Sequence, residues 1–208
     1  AGPLAAQPDH LLGQLADRAE DQLVVATVEV GLGQLVVDAV VAFRRQHQPA
    51  QHHETGQADQ ERRQELAAVV NLLADDALGQ GRERADGDLH PDYLAAFEAI
   101  ESDPAHEVLV AVANDEVLGC LQLSFLPGLS RRGMWRGQIE GVRVARSARG
   151  QGIGQQLLRR AITVCHERGC GLVQLTSDVR RTDAARFYEA LGFSATHVGF
   201  KLGLARDQ

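Results

Sequence analysis

The residues with the clearest chemical potential are three alternate glycines that follow an arginine in the stretch RGQGIGQQLL. Arg149 and the glycines at 150, 152 and 154 come directly before a run with helical apolar spacing. A strand that enters a glycine-rich turn and continues as a helix presents unpaired backbone N–H groups at the positive end of the helix dipole. This arrangement predicts a binding site for an anion, with phosphate the natural ligand.

The spacing of these residues separates the phosphate-binding loops from one another. A dinucleotide-binding loop, G-x-G-x-x-G, would require a glycine at Gln155, and a P-loop would require Gly-Lys-Ser/Thr, which does not follow. The pattern that is present is R-x-x-G-x-G, at Arg149, Gly152 and Gly154. A tight turn without a ligand is the alternative interpretation, but such a turn needs only one glycine.

The composition favours a small partner. The chain has 208 residues, 44% of them hydrophobic, and a formal net charge of −7. This length suits one domain with a real core. Because a negative surface is repelled by phosphate backbones, we expect neither nucleic acid nor an anionic membrane as a partner. The apolar runs are interrupted by charges, and we expect no spanning helix and no secretory signal.

The three cysteines predict a reducing compartment. Cys120, Cys165 and Cys170 form neither an even set nor a C-x-x-C pair. An odd number is typical of free thiols, mostly buried as small apolar side chains, and we expect a cytoplasmic protein.

Hydrophobic periodicity predicts an alternation of helices and strands from about residue 65 onward. The predicted elements are two helices, a hairpin that turns at Asn114-Asp115, a strand over GQIEGVRV, a helix that ends at Gly169, a strand over GLVQLTS, a short helix with Thr182 as N-cap, and a final strand or hairpin over SATHVGFKLGL. This order predicts an α/β or α+β single sheet with helices packed on it.

Residues 1–61 differ from the rest and are predicted to be an N-terminal extension, linker-like from about residue 44. His47, His52 and His53 could form a metal tract, but without a scaffold exposed polar residues are the better interpretation, and we predict no metal site. The first strand of the sheet either comes from Gln22–Val30 or is absent. The domain proper is predicted over residues 62–208.

The stretches IEGVRVARSARGQGIGQQLL and DAARFYEALGF, in this order, resemble the acyl-CoA site and the C-terminal helix of the GNAT superfamily of N-acetyltransferases. The resemblance covers about residues 62–204. It implies a mixed, mostly antiparallel sheet with a splayed central strand pair and flanking helices. It also implies acetyl-CoA as co-substrate, with the R-x-x-G-x-G loop around the pyrophosphate.

The resemblance assigns the cofactor contacts position by position. The loop would donate backbone N–H groups to the pyrophosphate and the preceding strand would pair with the pantetheine arm, through Val142, Val144, Arg149, Gln151, Gly152, Ile153 and Gly154. Val142 matches the donor that polarises the thioester carbonyl, and Arg149 would add charge.

Two further residues match the catalytic positions of the family. Glu140 matches the general base, and period-two alternation predicts that its side chain shares a face with that of Val142. Tyr188 matches the general acid that protonates the departing thiolate. The alternatives are a rim carboxylate in a salt bridge for Glu140 and a core aromatic for Tyr188.

Within the superfamily, LTSDVRRTDAARFYEALGFSATHVGFKL is similar to the aminoalkylphosphonate N-acetyltransferases. The similarity would place near the acceptor Ser177, Asp178, Arg180, Arg181 and His197. Many members of the superfamily carry asparagine where this chain has Arg181. Arginine forks suit phosphonate or carboxylate, although exposed arginine is the simpler interpretation of any single one.

The sequence therefore predicts an acetyl-CoA-dependent N-acetyltransferase that acts on the primary amine of a small, anionic molecule. The alternative is a non-catalytic acyl-CoA-binding or regulatory module with the same fold. The loop around Trp135 is a candidate for a substrate rim or a dimer contact, and a homodimer is a partner that the sequence allows.

Overall fold

The computed structural model describes residues 39–43, 55–75, 82–83 and 88–204, and its core is a five-stranded sheet in the order β1-β2-β3-β4-β5. The strands are β1 Ala39–Phe43, β2 His106–Ala113, β3 Glu116–Leu126, β4 Arg136–Val144 and β5 Leu172–Leu175. Neighbouring strands are antiparallel except for β4 and β5, which are parallel. The predicted mixed, mostly antiparallel sheet is confirmed.

Four helices cover the two faces of the sheet: α1 Thr55–Ala74, α2 Pro91–Ser102, α3 Ile153–Glu167 and α4 Thr182–Ala190. Leu72 of α1 packs with Cys120 on one face, whereas Leu157 of α3 packs with Leu121 and Ile139 on the other. Apolar spacing on each helix explains these contacts, because one stripe of each helix faces the sheet. Within the ranges given above, the helices are too short or too polar to cross a membrane.

Two local predictions from turn chemistry are confirmed. The β2–β3 hairpin turns through Asn114 and Asp115, whose φ angles are 50° and 61°, as a two-residue hairpin turn requires. Helix α3 ends before Gly169, at φ 72°, and the N–H of Cys170 donates to the carbonyl of Cys165 at 2.9 Å. This Schellman-type ending uses the glycine because side chains disfavour positive φ.

The first strand of the sheet differs from both predictions, which were a strand at Gln22–Val30 or no strand. Strand β1 is Ala39–Phe43, paired with β2, so the first strand among the described residues is present and is formed by this segment; Gln22–Val30 lies outside the described residues. Helix α1 begins at Thr55, so residues 55–61 are helical rather than linker. The predicted boundary at residue 62 therefore cuts through α1. The histidines at 47, 52 and 53 lie outside the described residues.

The C-terminal predictions need two further corrections. Thr182 is the first helical residue of α4, and Arg181 takes the N-cap position without a side-chain cap. Residues 193–204 form neither a strand nor a hairpin. The alternation of apolar residues in this stretch predicts a strand. The stretch does not form one, because it pairs with no other strand within the described part of the chain.

Candidate active site

The glycine loop after β4 presents the N-terminus of helix α3. Gly150 and Gly152 have φ angles of 78° and 83°, and the helix begins at Ile153 without a side-chain cap. The N–H of Gln156 donates to the carbonyl of Gly152 at 3.0 Å. The N–H groups of residues 152–155 precede this bond and have no carbonyl one turn back, so they are placed to bind an anion.

Asp75, at the end of α1, fixes the loop from the other side of the sheet. Its carboxylate accepts the N–H of Arg146 at 3.1 Å and lies 3.3 Å from the Arg146 guanidinium. Its carbonyl accepts from Arg149 at 3.0 Å, and Arg149 also donates to the carbonyl of Val144 at 3.1 Å. Arg149 thus ties the loop to β4 and α1. This contact could not be predicted from local sequence patterns, because Asp75 is far from the loop in the chain.

Gly154 lies where β4 and α4 come close together. A Cβ at this position would lie 3.4 Å from Cγ2 of Val144 and 3.4 Å from Cζ of Phe187. A side chain here would therefore contact both the strand and the helix, without a severe clash. The absence of a side chain at Gly154 thus lets β4 and α4 approach each other beside the anion site.

Strands β4 and β5 separate near Gly154, and we call the space between their separated ends the gap between β4 and β5. Their registered pairs run from Arg136↔Leu172 to Ile139↔Leu175, where β5 ends. The rest of β4, from Glu140 to Val144, continues beside β3 alone. The predicted splayed strand pair is therefore present, and the half-buried side chains of Val142 and Val144 pack against the larger core cluster beside the gap.

A bulge in β4 corrects the prediction that Glu140 and Val142 share a face. Glu140 pairs with Gln122 and Arg143 pairs with Cys120, so two residues, Gly141 and Val142, lie opposite one residue of β3. Gly141 adopts φ 61°, which suits the extra residue of a bulge. Side chains of paired residues share a face, so Glu140 faces the α1–α2 side together with Arg143, and Val142 faces the α3 side.

A cavity of about 160 Å³ lies on the α1–α2 side of the sheet. Apolar side chains of α1 and α2 line it, and Cys120, Gln122 and Gly141 form its wall on the sheet. Two of these wall residues are the register partners of Arg143 and Glu140. The cavity therefore borders the part of β4 that carries the predicted base, although Glu140 itself is exposed.

Tyr188 lies on α4, half-buried against the larger core cluster. Its ring packs at 5.4 Å from that of Phe187 and at 6.1 Å from that of Phe193. Burial raises the pKa of the Tyr188 phenol above its ordinary value of 10.0, and the charges of Arg181 and Arg143 oppose this rise. The phenol is therefore protonated at neutral pH, as a proton donor must be.

Arg143 is a residue that the sequence interpretation missed. It donates to the carbonyl of Val142 at 2.8 Å, and its charge acts on both Cys120 and Tyr188. It thus links the cavity side of β4 with the phenol of α4. The sequence pattern that could have revealed Arg143 is its position between two valines in VRV. Side chains alternate between the two faces of a strand, so Arg143 lies on the face opposite to that of the valines.

The predicted acceptor residues are only partly brought together. Arg180 donates to both oxygens of Asp178, at 2.9 and 2.7 Å, and these bonds hold the pKa of Asp178 well below its usual range. This fork is therefore already engaged, and Ser177 beside it is exposed. Arg181 lies close enough to Tyr188 to lower its pKa. His197 lies on the exposed C-terminal stretch, where its ring contacts the hydroxyl of Thr196 at 2.8 Å.

A splayed parallel strand pair followed by an anion-binding helix start defines the class of acyl-CoA-dependent acyltransferase folds. The family model of the GNAT acetyltransferases matches residues 66–193, and the chain belongs to this family of N-acetyltransferases. The chain is 34% identical over 116 residues to the aminoalkylphosphonate N-acetyltransferase of Salmonella typhimurium, an alignment that spans 54% of this chain and 75% of that protein.

Solved structures agree with this assignment. A transcriptional regulator from Bacillus halodurans C-125 superposes with a TM-score of 0.67 at 43% identity, over 79% of this chain and 99% of that one. An acetyltransferase from Trypanosoma brucei superposes with a TM-score of 0.56 at 26% identity, over 68% and 94% of the two chains. The GNAT fold predicted from the two sequence motifs is confirmed.

Proposed function

We propose that the protein transfers the acetyl group of acetyl-CoA to the primary amine of a small, anionic molecule, by direct attack of the amine on the thioester. The observation that carries this proposal is the gap between β4 and β5, which lies beside the uncapped start of α3, with Tyr188 of α4 packed against the same core cluster as Val142 and Val144 of β4. Acetyl-CoA, when bound there, supplies the activated acyl group. The domain that does this is proposed to include β1 and the whole of α1, and so to begin before the predicted boundary at residue 62.

The loop residues hold the co-substrate in this proposal. Gly152, Ile153 and Gly154 donate backbone N–H groups to the pyrophosphate, and Gln151 and Arg149 complete the loop. Gln156, one turn further, is buried, and its amide has no hydrogen-bond partner among the described residues. Buried amides usually form hydrogen bonds. We propose that a polar group bound in the gap accepts a hydrogen bond from the Gln156 side-chain amide and donates one to it.

The catalytic groups lie on the two elements that border the gap. Glu140 takes the proton of the attacking ammonium group, through water, from the cavity side of β4. The N–H of Val142 polarises the thioester carbonyl, with Val144 pairing to the arm beside it. The Tyr188 phenol protonates the departing thiolate, which its raised pKa allows across the neutral range.

Arginines near Tyr188 in this chain, and a related protein from Salmonella typhimurium, support an anionic acceptor. Arg143 and Arg181 both act on the Tyr188 phenol, so two positive charges border the reacting end of the gap. The relative from Salmonella typhimurium is named for aminoalkylphosphonates, whose phosphonate suits guanidinium groups. We assign the acceptor anion to these two arginines, with Ser177, Asp178 and His197 as its outer surroundings. The three free thiols suit a cytoplasmic protein.

A regulatory module that binds acyl-CoA without turnover is the second candidate. The similarity to a transcriptional regulator from Bacillus halodurans favours it. Such a module needs the loop of Gly152 and Gly154 but neither Glu140 nor Tyr188. The two candidates therefore differ in whether an amine makes the protein release CoA thiol.

A thiol-release assay with acetyl-CoA tests the proposal, run with 2-aminoethylphosphonate, amino acids and spermidine. We expect turnover with the phosphonate, and a loss of at least tenfold in kcat for Glu140→Gln at neutral pH. Glu116→Gln, on the exposed start of β3, is the matched control and keeps full activity. Tight CoA binding without turnover on every amine would support the regulatory module instead.

A further inference from the structure

The end of helix α3 brings two cysteines together. The N–H of Cys170 donates to the carbonyl of Cys165 at 2.9 Å. The N–H of Gly169 donates to the carbonyl of His166 at 3.0 Å. These two bonds, with Gly169 at φ 72°, form a complete Schellman ending. Such an ending brings the side chains at its two outer positions into contact, because the chain folds back over the last turn of the helix. Both of these positions are cysteine.

The two thiols also affect each other's ionisation. Burial raises the pKa of the Cys165 thiol to about 12, and the neighbouring Cys170 adds to this rise. Burial likewise raises the pKa of the Cys170 thiol, and the neighbouring Cys165 opposes this rise. Mutual effects of this kind require that the two sulfur atoms lie close together. The backbone geometry and these effects therefore agree that the pair can be joined by an S–S bond without a rearrangement of the helix.

The two sulfur atoms differ in their access to solvent. Cys165 is 1% exposed and belongs to the larger core cluster, whereas Cys170 is half-buried and packs against this cluster from outside. The sulfur of Cys165 lies against Gly137 of β4, where a Cβ would clash with it. A small oxidant in solution can therefore reach Cys170 first, since reactivity requires exposure. Cys165 is enclosed by the core but remains in contact with Cys170.

The third cysteine lies outside this arrangement. Cys120 is on β3 and packs with Leu72 of α1 on one face of the sheet. Cys165 packs with Leu157 of α3 on the other face. An S–S bond between Cys120 and either of the other two cysteines would require the sheet to open. Cys120 therefore serves as an internal control for the pair.

We propose that Cys165 and Cys170 form a reversible disulfide when the protein meets a small disulfide oxidant, such as oxidised glutathione. The Cys170 thiolate attacks one sulfur of the oxidant, forms a mixed disulfide and displaces one glutathione thiol. The Cys165 thiolate then attacks the Cys170 sulfur and displaces the second glutathione thiol. Two electrons and two protons pass from the cysteines to glutathione, so that the cysteines are oxidised and the glutathione disulfide is reduced.

This site is distinct from the proposed site of acetyl transfer. Helix α3 has 15 residues, so its length places the cysteine pair about 22 Å from the anion site at the other end of the helix. Disulfides that form transiently in a reducing compartment typically respond to oxidants. The pair thus gives the protein an oxidant-dependent cross-link between the end of α3 and the segment that enters β5, whichever reaction the protein catalyses.

Mass spectrometry of the full chain tests the disulfide. The protein is incubated with oxidised glutathione at about pH 8, where more thiolate is present, and is then quenched with acid and N-ethylmaleimide. Trypsin cuts after each arginine, so the bond would join the peptides 161–168 and 169–180. We expect this joined pair, lighter by two hydrogens than the sum of the peptides, in the natural sequence. We expect the same product in the matched control Cys120→Ala, and its separation by dithiothreitol.

Two further variants test the order of attack. We expect Cys165→Ala to stop at a glutathione adduct on Cys170, and Cys170→Ser to react at least about tenfold more slowly than the natural sequence. A thermal melt verifies that each variant is folded. The proposal would be overturned if the natural sequence kept all three thiols or stopped at the mixed disulfide. A bond to Cys120, or an unchanged reaction rate in Cys170→Ser, would overturn it as well.

Discussion

Gly154→Ala separates folding from co-substrate binding. The new methyl group would lie 3.4 Å from Val144 and from Phe187, which is ordinary van der Waals contact. Gly154 is also a helical residue with negative φ, so alanine improves the helix. We expect the free energy of unfolding to stay equal or to rise by up to about 1 kcal/mol.

The effect on co-substrate binding has the opposite sign. The methyl group lies against Val144, beside the gap between β4 and β5, where the pantetheine arm is proposed to lie. We expect the Kd for CoA to rise by at least about tenfold, which corresponds to about 1.4 kcal/mol. Isothermal titration with CoA measures this change, and urea unfolding followed by circular dichroism measures the stability of the same samples.

Gly150→Ala provides the contrast in stability. Its Cβ meets open space, but its φ of 78° is unfavourable for alanine, so we expect a loss of about 1 to 2 kcal/mol in the free energy of unfolding. If Gly154→Ala binds CoA as tightly as the natural sequence does while it remains folded, the gap is not the site of the arm. A large loss of stability in Gly154→Ala would show that the gap is closed in solution.

Three further substitutions test the site and the core. Tyr188→Phe should lower kcat by about 10²- to 10⁴-fold. Because the pKa of the phenol is raised above 10.0, the natural enzyme should lose activity through this group only above that pH, and a pH–rate profile of the variant should lack this alkaline decline. Arg168→Ala removes the guanidinium that lies 2.5 Å from the buried carboxylate of Glu107, and should cost about 2 to 3 kcal/mol in urea unfolding; a loss below about 0.5 kcal/mol would contradict this. Gly137→Ala places a Cβ that clashes with Sγ of Cys165 and should cost about 1 to 3 kcal/mol, with a smaller cost in a Cys165→Ala background. Equal costs in a double-mutant cycle would show that the two sites are independent.

Local chemistry made much of the fold predictable. The Asn114-Asp115 turn, the glycines of the loop and Gly169 at the end of α3 are each dictated by backbone angles that few residues adopt, so their positions could be predicted from the sequence. The two motifs around Gly152 and Tyr188 were sufficient to predict the family. These features depend on residues close together in the chain.

The errors arose where distant or irregular contacts decide the structure. The five-residue strand β1 is a short apolar run, which periodicity cannot distinguish from other apolar runs nearby. The bulge at Gly141 shifted the faces of β4 by one residue, and the glycine after Glu140 was the one signal for it. The contact of Asp75 with Arg146 and Arg149 joins residues more than 70 positions apart and left no local pattern.

The contact at Asp75 has a consequence for how the two substrates affect each other. Helix α1 lines the apolar cavity on one side of the sheet and, through the carboxylate and carbonyl of Asp75, holds the loop that is proposed to bind the pyrophosphate. A shift of α1 when the cavity is filled would therefore be transmitted to Arg146 and Arg149. Thermodynamic linkage then requires reciprocity: any gain in CoA affinity caused by the acceptor equals the gain in acceptor affinity caused by CoA. Removing the carboxylate, as in Asp75→Asn, would weaken the mutual dependence of the two binding events even where each binding event survives.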